Sequence, residues 1–311
     1  TGGRSQNGGR KPGRWTLLLA VVVLAGCAAP KVQFTDSDWV AHVTTGRGCY
    51  ERGDVRRGAD AFGRAQERAR ALDDAEALAV AAVNRAVCLQ QMDQAAEALA
   101  GVEEALADAR VSAARQLELQ VAGARAELAL EQPGQARLRA ARVLDANPPP
   151  ILRAQALLVQ GRADLAQMEA AAAEQTLARL APAAWRALPA SLRAERAELE
   201  GRIAAVLESP DRAWTWHEEA VLLWQDAGRL PNMARALAEA GRQAWAAGAS
   251  EAASDRFWRA ARSLWAQGLR DEAVHVLEEG VACAAAFKDE VAGQRLADLW
   301  VTFQGETRPM D

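Results

Sequence analysis

Seven times along the chain a small residue is followed, twelve positions later, by a second small residue. The first set is Gly46, Ala86, Ala124, Gly161, Gly201, Gly241 and Gly280; the second is Gly58, Ala98, Ala136, Ala173, Ala213, Ala253 and Ala292. Four positions further stand mostly larger side chains: Phe62, Val102, Ala140, Leu177, His217, Phe257 and Leu296. Three beyond those come Ala65, Ala105, Val143, Leu180, Ala220, Ala260 and Leu299. Offsets of three and four put these last residues on one helix face. Small residues at the crossing let two antiparallel helices approach closely. A unit that recurs every 37 to 40 residues buries its apolar face only by stacking on its neighbours.

Composition agrees. Alanine, the best helix former, supplies 74 of 311 residues, whereas isoleucine supplies two and tyrosine one. Strands favour β-branched and aromatic residues. Hydrophobic residues make up 50% and charged residues 25%, the balance of a folded chain rather than a disordered one. The expected class is all-α.

The pattern resembles the tetratricopeptide repeat over about residues 38–303. The clearest copies are Trp39 to Ala65, Leu117 to Pro148 and Ala234 to Ala260. The family's period is 34 residues, shorter than the spacing here, and His217 and Ala140 stand where the family has a bulky apolar residue. The resemblance implies an α-solenoid of about seven antiparallel helix hairpins. Its first helices would line a concave groove that binds protein partners. Breakers fit the segmentation: Gly53-Asp54, Gln132-Pro133-Gly134, Pro148-Pro149-Pro150, Ser209-Pro210-Asp211, Gly228 to Pro231 and Gly248 to Ser250 separate helices. Asp211 and Ser250 are the expected N-caps. A longer connection, Ala181 to Ala190, divides the array into residues 38–181 and 191–303, followed by a tail, 304–311.

The amino-terminal residues read as an address. Arg4, Arg10, Lys11 and Arg14 precede an apolar run from Trp15 to Ala25. A basic region, a short apolar run and small residues describe a secretory signal peptide, and about eleven apolar residues fall short of the roughly 20 that span a bilayer. Leu24-Ala25-Gly26-Cys27 resembles the lipobox of bacterial lipoproteins, which implies cleavage after residue 26 and lipidation of Cys27. Residues 27–37 would then be a lipidated tether. Ala28, where an aspartate would retain the protein, favours the outer membrane with the body facing the periplasm. Membrane attachment is expected through the lipid alone.

Removing four basic residues and no acid takes the formal charge from −4 to −8. A net acidic body lacks the basic footprint of a nucleic-acid binder. The remaining cysteines, Cys49, Cys88 and Cys283, are too few and too scattered for a disulfide framework. Cys49 and Cys88 read either as small core residues or as a pair on neighbouring helices.

No catalytic or metal constellation is legible. His42, His217 and His275 lack ligand spacing, and no phosphate loop or nucleophile elbow is present. His217 falls on a core face. The expectation is a non-enzymatic chain with no cofactor and no metal.

One feature points to binding. Directly after the first-helix small residue, five of seven copies carry arginine: Arg47, Arg125, Arg162, Arg202 and Arg242; the others are Val87 and Val281. With 33 basic residues in 285, chance gives about one arginine in seven positions. The resemblance puts this position on the concave groove. Guanidinium groups grip carboxylates bidentately, so the groove is expected to take an acidic segment or a C-terminal carboxylate. The bland reading is pairing with resident acids; Glu198 stands four residues before Arg202. Eight of ten tryptophans lie from Trp185 onward, mostly as core filling, but Trp245 falls on the groove side and an Arg/Trp pair anchors peptides well. Lipidated tetratricopeptide proteins serve envelope, secretion or pilus assembly, so the resemblance implies a scaffold there. The alternative is an accessory activator of a cell-wall enzyme, and a third reading is a helical toroid with buried acids or histidines.

Overall fold

The computed structural model describes residues 34–307. The described residues from Asp36 onward form one compact unit. Every element among the described residues is helical: α1 Ser37–Glu51, α2 Val55–Ala71, α3 Ala75–Gln90, α4 Ala95–Leu106, α5 Ala113–Ala129, α6 Pro133–Asp145, α7 Pro150–Ala166, α8 Ala170–Ala178, α9 Pro182–Arg186, α10 Ala190–Val206, α11 Pro210–Asp226, α12 Leu230–Ala246, α13 Ser250–Ala266, α14 Arg270–Phe287 and α15 Glu290–Thr307. Apart from the short α9, each helix packs mainly on a neighbour in sequence, and α1, α3, α5, α7 and α10 also pack in series. With the short α9 set aside, the described chain is a solenoid of seven helix hairpins, and the first helices of the first five stand side by side.

The small-residue register is the physical basis of each hairpin. A methyl group at Gly46 would come to 2.7 Å from the Phe62 ring, at Gly201 to 2.6 Å from the His217 ring, and at Gly280 to 3.1 Å from Leu296. The large side chain sixteen positions on therefore fills the space left by the missing side chain. Phe62, Val102, Ala140, Leu177, His217, Phe257 and Leu296 are all buried. Close packing of this kind makes the crossing intolerant of added volume.

One turn recurs between helices. After the helix ends, a residue takes positive φ and the next amide returns to a carbonyl five residues back, as in Asp54 N to Cys49 O (2.9 Å), Asp74 N to Ala69 O (3.0 Å) and Arg229 N to Trp224 O (2.9 Å). This is a Schellman closure, which satisfies the last carbonyls of the helix. Its left-handed position is glycine at Gly53, Gly228, Gly248 and Gly268, but also Asp73, Asp93, Glu131, Met168, Glu208 and Lys288; Asn147 takes the same φ, but Pro148 after it has no N–H to close the turn.

Helix starts differ in part from expectation. Asp36, Asp54 and Asp74 cap their helices through side-chain bonds to Trp39, Arg57 and Ala77 amides. Asp211 and Ser250 are not caps; Ser209 and Ala249 hold those positions, without side-chain bonds. The Schellman turn fixes the cap as the residue just after the left-handed one. Pro210 then takes the first helical turn, where its missing N–H costs nothing.

The stretch Ala181–Ala190 contains α9 rather than an open linker. Its Trp185 is 1% exposed and donates its indole N–H to Leu177 O at 3.3 Å. Because α10 packs on both α7 and α8, the stack continues through this point. The last helix runs to Thr307, past the expected array end at 303. Residues 1–33, with the signal segment, Cys27 and most of the tether, lie outside the described residues, as do 308–311. No described helix is long and apolar enough to cross a membrane.

Candidate partner-binding groove

The five arginines sit on first helices, as the register requires: Arg47 on α1, Arg125 on α5, Arg162 on α7, Arg202 on α10 and Arg242 on α12. Curvature then decides their fates. Arg125 Nη2 lies 3.1 Å from Glu195 Oε2, and Arg162 Nη2 lies 3.2 Å from the same oxygen. Glu195 is on α10, and α7 stands between α5 and α10. Side chains two hairpins apart meet in this way only over the inner surface of a curved stack. Burial raises the cost of charging Glu195, but the two guanidiniums more than offset it and hold the carboxyl below its usual range.

Arg242 is committed too. It donates to Glu279 through Nε (2.8 Å) and Nη2 (3.1 Å), and to Glu239 through Nη1 (2.5 Å). The adjacent Arg235 grips Glu272 bidentately at 2.7 and 2.8 Å. Two Arg–Glu pairs therefore cross from α12 to α14. The outer helices use the same device: Arg70–Glu104, Arg139–Glu103, Arg212–Glu174 and Arg256–Glu218 each link second helices of adjacent hairpins. Planar guanidinium forks suit such staples better than lysine ammonium does, and the chain has 34 arginines against three lysines.

Arg47 and Arg202 differ from these three. Both are exposed, and neither makes an ion pair or hydrogen bond among the described residues. Arg202 lies beside two buried titratable groups. Glu198 accepts from the Trp224 indole N–H at 2.7 Å; burial pushes its carboxyl up, against the pull of Trp224, Arg162 and Arg202. His217 is 1% exposed, and its pKa falls to about 4 through burial and the nearby Arg202 and Arg242 charges. It stays neutral at physiological pH and acts as packing. Trp245 is half-buried and meets Phe257 edge-on at 6.4 Å between centroids, a core contact as much as a groove one.

Glu195 was not legible in the sequence, because charged residues on helix faces are ordinary and nothing local signals inward curvature; Glu198 was legible only as a neighbour of Arg202, not as the buried acceptor of Trp224. A second non-local contact was also illegible. Arg229, at the start of α12, lies over the Tyr50 ring at 4.6 Å, and Gln91 donates to the Tyr50 hydroxyl at 3.0 Å. Arg235, chiefly held by Glu272, also feels Asp93 and Glu198. The edge of the first two hairpins therefore closes against the start of the sixth. No cluster of three metal-ligating side chains occurs among the described residues.

No protein-family description and no curated protein matches the sequence. Among solved structures, a tetratricopeptide repeat protein from Parabacteroides merdae is 16% identical, covering 78% of this chain and 99% of its own, with a TM-score of 0.39. The TPR2AB domain of yeast Sti1 in complex with pHSP90 is also 16% identical, covering 86% and 98%, with a TM-score of 0.35. The hairpin solenoid described above rests on the chain's own packing.

Proposed function

We propose that the chain is a non-catalytic scaffold that binds an acidic segment of a protein partner along its inner wall. The observation that carries this reading is Arg202: an exposed guanidinium that forms no ion pair or hydrogen bond among the described residues, on a wall where neighbouring arginines are neutralised. Arg47 extends the same free charge to the first hairpin. A partner carboxylate here meets a planar fork whose geometry pairs bidentately. The wall's remaining arginines hold the repeats in register and keep that surface in shape.

The reading extends to an address. Leu24-Ala25-Gly26-Cys27 supports lipidation at Cys27, with the body facing the periplasm from the outer membrane and serving envelope assembly. Arg47→Gln and Arg202→Gln together test the groove, because neither arginine makes an ion pair or hydrogen bond among the described residues and glutamine sets no new carboxylate beside the buried Glu198. Capture of partners by crosslinking from membranes should fall at least tenfold with the melting midpoint unchanged. Undiminished capture rejects the groove. Fatty-acid labelling that persists in Cys27→Ala rejects the anchor.

A further inference from the structure

Three cysteines lie among the described residues, all buried and reduced. Cys283 has no sulfur neighbour among them. Cys49 and Cys88 do. They sit on α1 and α3, the first helices of adjacent hairpins. Cys49 shares the buried face of α1 with Trp39, Val43 and Gly46, and Cys88 is fully buried. Gly58 of α2 fills the crevice between them. A methyl group there would lie 3.2 Å from Cys88 Sγ, 3.3 Å from Gly46 O and 3.6 Å from the Tyr50 amide nitrogen. That amide directly follows Cys49. The space at Gly58 thus has the Cys88 sulfur on one side and the α1 backbone beside Cys49 on the other. Burial pushes the Cys88 thiol up to about 11, and the Cys49 sulfur adds to the effect, as neighbouring sulfurs do. Cys49 is the sulfur nearer solvent: it keeps 6% exposure and accepts from Arg52 Nη2 at 3.7 Å.

We propose that Cys49 and Cys88 are a dithiol pair that closes to a disulfide between α1 and α3 by exchange with a small-molecule disulfide. Cys49 thiolate attacks the external disulfide, forming a mixed disulfide and releasing one thiol. Cys88, losing its proton to solvent, then attacks Cys49 Sγ; the Cys49–Cys88 bond forms, the mixed bond breaks and the second thiol leaves. The external disulfide is reduced by two electrons and the protein dithiol is oxidised by two. The link has a structural consequence. Tyr50, next to Cys49, carries the contact to Arg229, so the disulfide pins the end of α1 that closes the array.

The full chain, treated with oxidised glutathione, alkylated and mapped by mass spectrometry, tests this. The expected product is a Cys49–Cys88 linked peptide lighter by two hydrogens, with Cys283 alkylated and the link reversed by dithiothreitol. The oxidised form should melt about 5 °C higher than the reduced form, and Cys49→Ser should lose that difference. Both cysteines alkylated, a glutathione adduct persisting at Cys49, a link through Cys27 or Cys283, or a shift retained in Cys49→Ser would each overturn the proposal.

Discussion

Arg125 and Glu195 stand on first helices two hairpins apart, yet their charged groups are 3.1 Å from each other. Arg162, on the helix between, shares the same carboxylate. One acid thus joins three consecutive hairpins. Glu195→Gln should cost about 2 kcal/mol at pH 7, since two partly buried guanidiniums lose their counter-charge. The native Glu195 carboxyl titrates below its ordinary value of 4.5. Its stabilisation is therefore present above 4.5 and is lost as pH falls through the lower native value. Glu198 has the opposite sign, because its native carboxyl titrates above 4.5. Its favourable contribution is full below 4.5 and is lost as pH rises through the higher native value. Glu198→Gln keeps an acceptor for Trp224 and should stabilise by about 1 kcal/mol at pH 7. Denaturant titrations at pH 7 and pH 4 distinguish the two: each difference should shrink at pH 4.

Gly201 and His217 form the tightest of the crossings described. Gly201→Ala should destabilise by about 2 kcal/mol, because the added methyl meets a buried ring at 2.6 Å. The double variant with His217→Ala should cost less than the sum of the two single changes, the mark of a shared contact. Strict additivity in thermal melts would mean that the ring does not occupy that space. With a native pKa of about 4 against 6.5 unfolded, His217 also makes stability decline as pH falls from 6.5 toward 4, and the double variant should lose that component.

Tyr50→Ala removes both the ring under Arg229 and the acceptor for Gln91. Exposed cation–π contacts are worth about 0.5–1 kcal/mol, so thermal stability should change little. Shape should change more, because this contact joins hairpins far apart in sequence. Small-angle scattering should give a larger radius of gyration for Tyr50→Ala, with Tyr50→Phe intermediate. An unchanged radius would show that the curvature is set wholly by packing between adjacent hairpins.

Met168 is 76% exposed and holds the left-handed turn position at φ 63°. A non-glycine side chain there costs about 1 kcal/mol or more, partly offset by glycine's greater freedom when unfolded. Met168→Gly should raise stability by roughly 0.5 kcal/mol in chemical denaturation.

The recurring register was legible in the sequence because it is local. Gly46 with Phe62 and Gly201 with His217 lie sixteen residues apart within one hairpin, and the helix period alone brings them together. Even the odd His217 could be assigned to the core from its place in the series. The turns were legible only where glycine or proline marked them; Asp73, Asp93 and Met168 take the same left-handed turn with no such signal. α9 was hidden because Pro182 and Pro189 read as breakers, whereas each stands at or just before a helix start, and burial of Trp185 holds the short segment.

The sequence by itself determined an all-helical chain, its seven hairpins and the helix face on which the arginines recur. Only the tertiary structure decided what those arginines do. Small rotations between hairpins add up to a curvature that no spacing encodes. That curvature brings Glu195 to Arg125 and Arg162, sets Glu279 against Arg242, closes Tyr50 on Arg229, and leaves Arg47 and Arg202 exposed on the same wall without an ion-paired carboxylate.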